Sequence, residues 1–214
     1  MTTPIQELQK ECVASSNNPL SIIRKAYVYA RKLKLIEMAE WLDQEMKGYE
    51  KRNETPEYRF VHGMLYGLSV RGPIPVQMPS EILSKLTTGI ISQPISEIIA
   101  IVDSKKSNSI HLPFQGDINK AIGECVETES QFYIDVGIEQ FKSIIDAVIN
   151  TILKWTLLFE EKGILGEEIS FSPEEIDKAK DIPISTYCPV IIKGDVETLT
   201  VQINSSDSTQ TIVK

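Results

Sequence analysis

The segment from 137 to 162, GIEQFKSIIDAVINTILKWTLLFEEK, constrains the fold more than any other part of the chain. Its apolar residues recur at the i, i+3, i+4 and i+7 spacing of an amphipathic α-helix, and its second half is apolar on most faces. Such a helix has to be surrounded by other elements. We therefore expect it to be the central packing helix of a chain whose 214 residues suffice for one domain with a real core.

The first fifty residues predict a small helical bundle. Asn18 is an N-cap residue and Pro19 a first-position residue, so a helix is expected to begin there. A second helix is predicted over 35–51, and the short break between the two favours an antiparallel hairpin. Residues 4–14 predict a further short helix.

The middle of the chain predicts extended structure with short helices. Residues 58–70, YRFVHGMLYGLSV, are rich in aromatic and β-branched side chains, and Gly63 and Gly67 predict a bulge or bend within them. The prolines that follow exclude both a helix and a central strand, so we expect 71–79 to lie extended on the surface. Further predictions are a helix capped by Ser80 that runs through about Thr88, a helix starting near Pro94, a helix capped by Asp117 and a helix after the capping box of Ser172. A strand is predicted at 130–136.

The C-terminal residues have a different pattern. Residues 186–213 alternate with a period of two around a Gly-Asp turn, which predicts short strands. The expected fold class is therefore α+β, mainly α-helical, with an N-terminal helical hairpin, a small mixed strand region, the long central helix and a short C-terminal β segment. We expect a helix-rich domain over 1–182 and a β tail over 183–214, and the unpaired strands of the tail predict a homo-oligomer.

Composition limits the classes of function. The net charge of −8 does not favour a general nucleic-acid binder, because phosphate neutralisation needs a basic face. Three distant cysteines and two histidines give neither a disulfide framework nor a spaced metal site, and we expect no cofactor and no metal. The start of the chain lacks signal-peptide features and no run is long enough to span a membrane, so a cytoplasmic location without membrane contact is predicted.

One face of the first hairpin helix is basic. Arg24, Lys25, Arg31 and Lys32 fall opposite its apolar stripe, and residues 19–34 contain no acid. These four side chains are candidate binding residues. A solvated helix face is the simpler interpretation.

The candidate catalytic residues are Arg59, His62 and Tyr58. The chain has no glycine-rich phosphate loop, metalloprotease motif or nucleophile elbow. A histidine base beside an arginine that steadies a phosphorane could cleave RNA. The alternative is structural: Arg59 pairs with a carboxylate such as Asp43 or Glu45, the tyrosines pack around it, and the histidines are hydrogen-bonded structural residues.

The order and spacing of several short motifs resemble the AbiTii family, over about residues 5 to 180. Its N-terminal half has a helix with an Arg-Lys-Ala motif, then a helix ending in tryptophan, acid and Gly-Tyr, then Pro-x-Tyr-Arg and an Ile-Pro segment that ends in proline. In this sequence these are Ile23, Arg24, Lys25 and Ala26; Trp41, Glu45, Gly48 and Tyr49; Pro56, Tyr58 and Arg59; and Ile74, Pro75 and Pro79.

The resemblance implies a role in bacterial abortive infection, in which an infected cell blocks phage multiplication at its own expense. It supplies no catalytic residues. Two hypotheses follow: a protein that binds a phage or host macromolecule, with a second protein of the same defence system as a further candidate partner, or a toxin-like enzyme acting on nucleic acid or nucleotides. We also expect Gly48-Tyr49 to end the second hairpin helix and to anchor the turn that leads to Pro56-x-Tyr-Arg.

Overall fold

The computed structural model describes residues 2–16, 18–51, 54–104 and 107–182. The helices are α1 (Pro4–Val13), α2 (Pro19–Lys32), α3 (Ile36–Lys47), α4 (Ser80–Leu86), α5 (Ile95–Asp103), α6 (Gly116–Cys125), α7 (Ile138–Glu161) and α8 (Pro173–Lys180). The strands are β1 (Phe60–His62), β2 (Met64–Ser69), β3 (Gly72–Pro75), β4 (Thr88–Ile90), β5 (Ser109–Pro113) and β6 (Gln131–Gly137). The predicted α+β, mainly helical class is confirmed. The predicted β tail and its oligomer contacts lie outside the described residues.

Helix α7 is the centre of the core, as its periodicity predicts. Its apolar stripe is buried along its whole length, from Phe141 to Phe159. Helices α1, α2 and α5 pack against it. Trp155 of α7 meets Trp41 of α3 edge to face, with ring centroids 5.4 Å apart. Edge-to-face contact suits the charge distribution of aromatic rings, so α3 is joined to the same core.

The hairpin of α2 and α3 also follows the sequence. The side chain of Asn18 accepts a hydrogen bond from the backbone N–H of Ser21 at 3.1 Å, so the predicted N-cap is confirmed. Helix α3 ends at Lys47 rather than at 51. Gly48 there adopts φ +92°, a conformation that a residue with a Cβ rarely adopts, and the helix stops.

The strands form two antiparallel sheets. Strands β1 and β4 make a two-stranded sheet, and the larger sheet has the order β3-β2-β6-β5. Gly63 separates β1 from β2, and a Cβ there would lie 2.4 Å from the carbonyl oxygen of Asp135. A glycine is therefore required here by the close packing of two backbones, at the point where the chain passes from β1 to β2. Strand β3 contains Pro73 and Pro75 and occupies a sheet edge, where a missing N–H breaks no ladder.

Three local predictions differ from the structure. The helix that starts at Ser80 ends at Leu86, and Thr88 is the first residue of β4 instead of the end of that helix, because β4 pairs with β1, a partner distant in sequence. Helix α4 has Pro79 at its N-cap without a side-chain cap, so Ser80 is its first residue and not its cap. Asp117 lies inside the first turn of α6, where a carboxylate interacts favourably with the helix dipole. The capping box of Ser172 is confirmed.

Candidate functional site

The most polar part of the interior is a cluster centred on the carboxylate of Glu45 in α3. Tyr49 and Tyr58 donate hydroxyl hydrogen bonds to its Oε1 atom at 2.5 and 2.6 Å. Arg59 donates from Nε to Oε1 at 3.2 Å and from Nη2 to Oε2 at 2.6 Å. The indole N–H of Trp41 donates to the hydroxyl oxygen of Tyr58 at 2.8 Å. We call these five residues the Glu45 cluster.

The remaining donor group of Arg59 joins this cluster to a third segment. Its Nη1 atom donates to the backbone carbonyls of Ile91 and Gln93 at 2.9 and 2.7 Å. Arg59 and Glu45 are both fully buried, and the guanidinium carbon lies 4.8 Å from the centre of the Tyr49 ring. The two-pronged pairing therefore holds α3, the turn at 57–59 and the segment after β4 together.

Burial and charge act in the same direction on the tyrosines of the cluster. Burial raises the pKa of Tyr49 and of Tyr58, and the negative charge of Glu45 raises both further, so each hydroxyl keeps its proton. For Arg59, burial alone lowers the pKa, but the adjacent carboxylate and its hydrogen bonds raise it above the ordinary value. The cluster is thus a charged pair with two fixed neutral donors.

The expected function of Gly48-Tyr49 agrees with this geometry. The backbone N–H of Tyr49 donates to the carbonyl of Ser92 at 2.8 Å, and its hydroxyl reaches back to Glu45 one turn earlier. A Cβ on Gly48 would lie 2.7 Å from the same Ser92 carbonyl oxygen. The turn after α3 is therefore anchored from both its backbone and its side chain.

The candidate catalytic residues do not converge on one exposed surface. Arg59 and Tyr58 donate into the Glu45 cluster, whereas His62 is exposed at the end of β1. The His62 ring contacts the hydroxyl of Thr88 at 3.1 Å, and its backbone exchanges two hydrogen bonds with the side chain of Gln140. This geometry supports the structural interpretation of Arg59. Of the two suggested carboxylates, Glu45 is the partner, and Asp43 instead pairs with Lys47.

The four candidate binding residues of α2 are spread over its outer side. Arg24 and Arg31 are exposed, while Lys25 and Lys32 are half-buried. Lys25 donates to Glu11 of α1, and this hydrogen bond raises the pKa of its ammonium group. One of the four charges is therefore engaged in holding α1 against α2.

The outer face of the larger sheet carries an aromatic group that the sequence analysis does not single out. Strand register places Tyr66, Tyr133 and Pro113 in one row, and Asp135 and His111 in the next. The Tyr66 and Tyr133 rings stack with centroids 5.9 Å apart, and the His111 ring lies 4.3 Å from Tyr133. Tyr133 itself is buried.

Exposed apolar residues concentrate on the hairpin formed by β2 and β3. Of the ten large hydrophobic side chains exposed in the described part of the chain, four belong to these twelve residues. They are Met64, Leu68, Val70 and Ile74, and Val70 at the tip is completely exposed. Met64 and Leu68 lie on the outer face of the sheet and Ile74 on its inner face. The hairpin is thus apolar on both sides and at its tip.

A groove lies beneath the inner side of this hairpin. A cavity of about 770 Å³ is lined by α6 and the turn at 126–131, and an adjoining cavity of about 230 Å³ is lined by the hairpin and the same turn. The two share Thr128 and Ser130. We call the combined space the hairpin groove.

The described residues contain no group of three or more His, Cys, Asp or Glu side chains that could hold a metal ion. Among the same residues, no helix is long and apolar enough to cross a membrane.

The sequence predicts part of the arrangement on the two faces of the larger sheet. Alternation in 130–136 separates Phe132, Ile134 and Val136 from Tyr133 and Asp135, so two faces could be distinguished. It gave no indication that His111 and Tyr66 would flank Tyr133, because strand pairing between distant segments is not encoded in local periodicity.

The AbiTii family model matches the chain over residues 5–184. Comparisons with curated proteins and with solved structures return no match. Apart from Pro4, the first residue of α1, the matched range covers every described helix and strand, including all residues of the Glu45 cluster. The chain therefore belongs to the AbiTii family, and through it to the proteins of abortive infection and phage defence.

Proposed function

We propose that this protein acts in phage defence by binding a phage or host protein. The observation that supports the proposal is the β2–β3 hairpin, whose Met64, Leu68, Val70 and Ile74 side chains are exposed on both faces and at the tip. Groups of exposed apolar side chains often mark the surfaces by which a protein binds its partners. Tyrosine and methionine, present here as Tyr66 and Met64, are enriched at protein interfaces.

The charge on the hairpin favours protein over nucleic acid as its target. Arg71 is the single cation between Met64 and Pro75, and the nearby sheet row carries Asp135. Binding to a phosphate backbone needs several Lys or Arg side chains. An apolar surface with so few charges fits a protein surface better.

A toxin-like enzyme acting on nucleic acid or nucleotides is the alternative. Such an enzyme would depend on His62, since Arg59 donates its hydrogen bonds to Glu45 and to two backbone carbonyls. The His62→Ala variant tests this directly because the side chain is exposed and its removal leaves no buried charge. Arg59→Ala is not a usable test, as it would leave Glu45 buried without its partner.

The test measures plating efficiency of phage on bacteria that express the protein. We expect the double variant Leu68→Asp, Val70→Asp to lose protection, because two charges on the hairpin prevent an apolar interface from forming. The matched control is Ile36→Asp, Ile169→Asp, which changes two comparably exposed isoleucines elsewhere. Circular dichroism establishes that each variant is folded.

The outcomes separate the two hypotheses. Loss of protection in the hairpin variant, with protection kept in the control and in His62→Ala, supports protein binding. Full protection by the hairpin variant together with loss in His62→Ala would replace binding with the enzyme hypothesis.

Homo-oligomerisation through residues 183–214 stays a prediction, as does a second protein of the same system as partner. Deleting 184–214 should lower the mass measured by light scattering from that of an oligomer to that of a monomer. A full-length chain that is already monomeric would contradict the predicted oligomer.

A further inference from the structure

We infer that the hairpin groove binds a cationic, partly apolar segment of the partner protein. This inference rests on the proposed function and adds to it the chemistry of the bound segment. Three features of the groove lead to it: an uncovered apolar floor, walls held in place by hydrogen bonds, and an acidic rim.

The apolar floor exists because helical cover ends partway across the sheet. Strand register places Phe132, Gly67 and Ile74 in one row on the inner face. Phe132 is buried, whereas Ile74 is 54% exposed, so the inner face opens between β6 and β3. Gly67 keeps the row open, since a Cβ there would lie 3.1 Å from the Phe132 ring. Val76 and Val126 complete an apolar lining in the smaller cavity.

The wall beside the floor is fixed by side-chain amides. Asn119 of α6 donates to the carbonyl of Ser130 at 2.8 Å and accepts from the backbone N–H of Phe132 at 2.8 Å. Gln131 donates to the carbonyl of Phe114 at 2.6 Å, and the hydroxyl of Ser130 donates to the carbonyl of Leu68 at 2.6 Å. A groove with such walls is pre-formed, and its larger cavity falls within the roughly 300–1,000 Å³ typical of binding pockets.

The rim of the larger cavity determines the charge of the bound segment. Its lining contains Glu124, Glu127 and Glu129, all exposed, and a single cation, Lys120, which lies 3.8 Å from Glu124. A net negative rim repels phosphate and carboxylate groups and attracts Lys and Arg. A lysine or arginine side chain of the partner segment is therefore the fitting ligand for this rim.

Together these features define the occupant. Its apolar side chain contacts the floor near Ile74, while a neighbouring lysine or arginine reaches the rim glutamates. A Lys or Arg side chain suits this position because its alkyl stem covers apolar surface and its charged end stays in water.

The experiment uses a fluorescein-labelled synthetic peptide of alternating leucine and lysine and measures its binding to the full chain by anisotropy. The control peptide has glutamate in place of lysine. We expect the lysine peptide to bind, the glutamate peptide not to bind, and added salt to weaken the binding because the rim charges are exposed.

Two groove variants and two matched controls locate the site. Glu127→Lys with Glu129→Lys should weaken binding about tenfold, since each reversal turns a screened surface attraction into a repulsion. The control is Glu167→Lys with Glu168→Lys, two exposed glutamates at a turn outside the groove. Ile74→Ser should also weaken binding, by about tenfold, through lost apolar contact. Its control is Ile169→Ser, at a similarly exposed isoleucine.

Absent binding of the lysine peptide, or equal weakening in groove and control variants, overturns the groove inference. Phage plating with the same variants separates that result from failure of the proposed function. Protection kept in both groove variants but lost in Leu68→Asp, Val70→Asp leaves protein binding in place and removes the groove. Protection kept in every hairpin and groove variant removes both.

Discussion

Replacing Glu45 with glutamine tests the central interpretation of the Glu45 cluster. The amide has nearly the same shape as the carboxylate, so the change removes charge without opening a cavity. The oxygen that Tyr49, Tyr58 and Arg59 Nε share can remain an acceptor, but Oε2 becomes an NH₂ group facing the Nη2 donor of Arg59. The variant therefore holds a buried guanidinium that has no counter-charge.

The expected loss of unfolding free energy in Glu45→Gln follows from the burial of the Glu45–Arg59 pair. Both charged groups are 0% exposed, and removing one partner of such a pair costs about 3–5 kcal/mol. Domains of ordinary stability unfold with about 5–15 kcal/mol, so the loss is a large share of the total. With a urea m-value of about 2 kcal/mol/M, a loss of about 4 kcal/mol lowers the unfolding midpoint by about 2 M.

The assay is urea unfolding followed by far-ultraviolet circular dichroism, with Asp43→Asn as the matched control. Asp43 pairs with Lys47 on the surface of the same helix, so its amide variant removes an ion pair of similar type without burial. We expect its midpoint to stay near that of the unchanged protein. Equal midpoints for Glu45→Gln and Asp43→Asn would refute the reasoning, because burial would then not matter.

Three further predictions concern local structure. Gly48→Ala should destabilise the protein by about 2–3 kcal/mol in the same urea assay, since φ +92° is strained for alanine and the carbonyl oxygen of Ser92 is too close. The control Gly137→Ala has no atom within 4 Å of its Cβ and loses only the preference for glycine over alanine at the N-cap of α7, so its cost should be smaller. Similar midpoints would contradict this. Burial opposes ionisation of Glu175, but three backbone N–H groups donate to its carboxylate and lower its pKa. The difference in unfolding free energy between the protein and Glu175→Gln should therefore be full above the ordinary glutamate pKa and shrink as the pH falls below it. A difference independent of pH would refute the assignment. Burial raises the pKa of Cys12 to about 11, whereas Cys125 is exposed. Peptide mapping after treatment with iodoacetamide at pH 8 should therefore find Cys125 modified long before Cys12. Equal rates of modification would show that Cys12 is accessible.

The candidate residues illustrate how far sequence reasoning extends to a site. The pairing of Arg59 with a carboxylate near the end of α3 could be stated as an alternative, because charged residues are seldom buried without partners. The sequence could not show which carboxylate is the partner of Arg59. Asp43 and Glu45 lie two positions apart on one helix, and only the packing of α3 against α2 and α5 decides that Glu45 faces the interior. Likewise, His62 is exposed although its sequence neighbours are apolar, because strand alternation points it away from the buried Val61.

Local signals determined most of the helices on their own. The period of 138–161, the Asn18 cap and the Ser172 capping box each act within a few residues, so they can be read from the local sequence even though packing supplies most of the helical stability. Prolines at 73 and 75 in the same way determined that β3 would not be a central strand. Family membership was also readable from the order of short motifs, since that order is a property of the chain.

The tertiary structure alone decided the rest. Strand β4 exists because it pairs with β1, and the aromatic row of Tyr66 and Tyr133 because β2 pairs with β6. The hairpin groove exists because α6 lies beside the buried Phe132, whereas Ile74 in the same row is exposed. Each of these joins segments separated by many residues, and the free energy that selects such a pairing comes from burial of the assembled surfaces. No local stretch of sequence determines that free energy of burial.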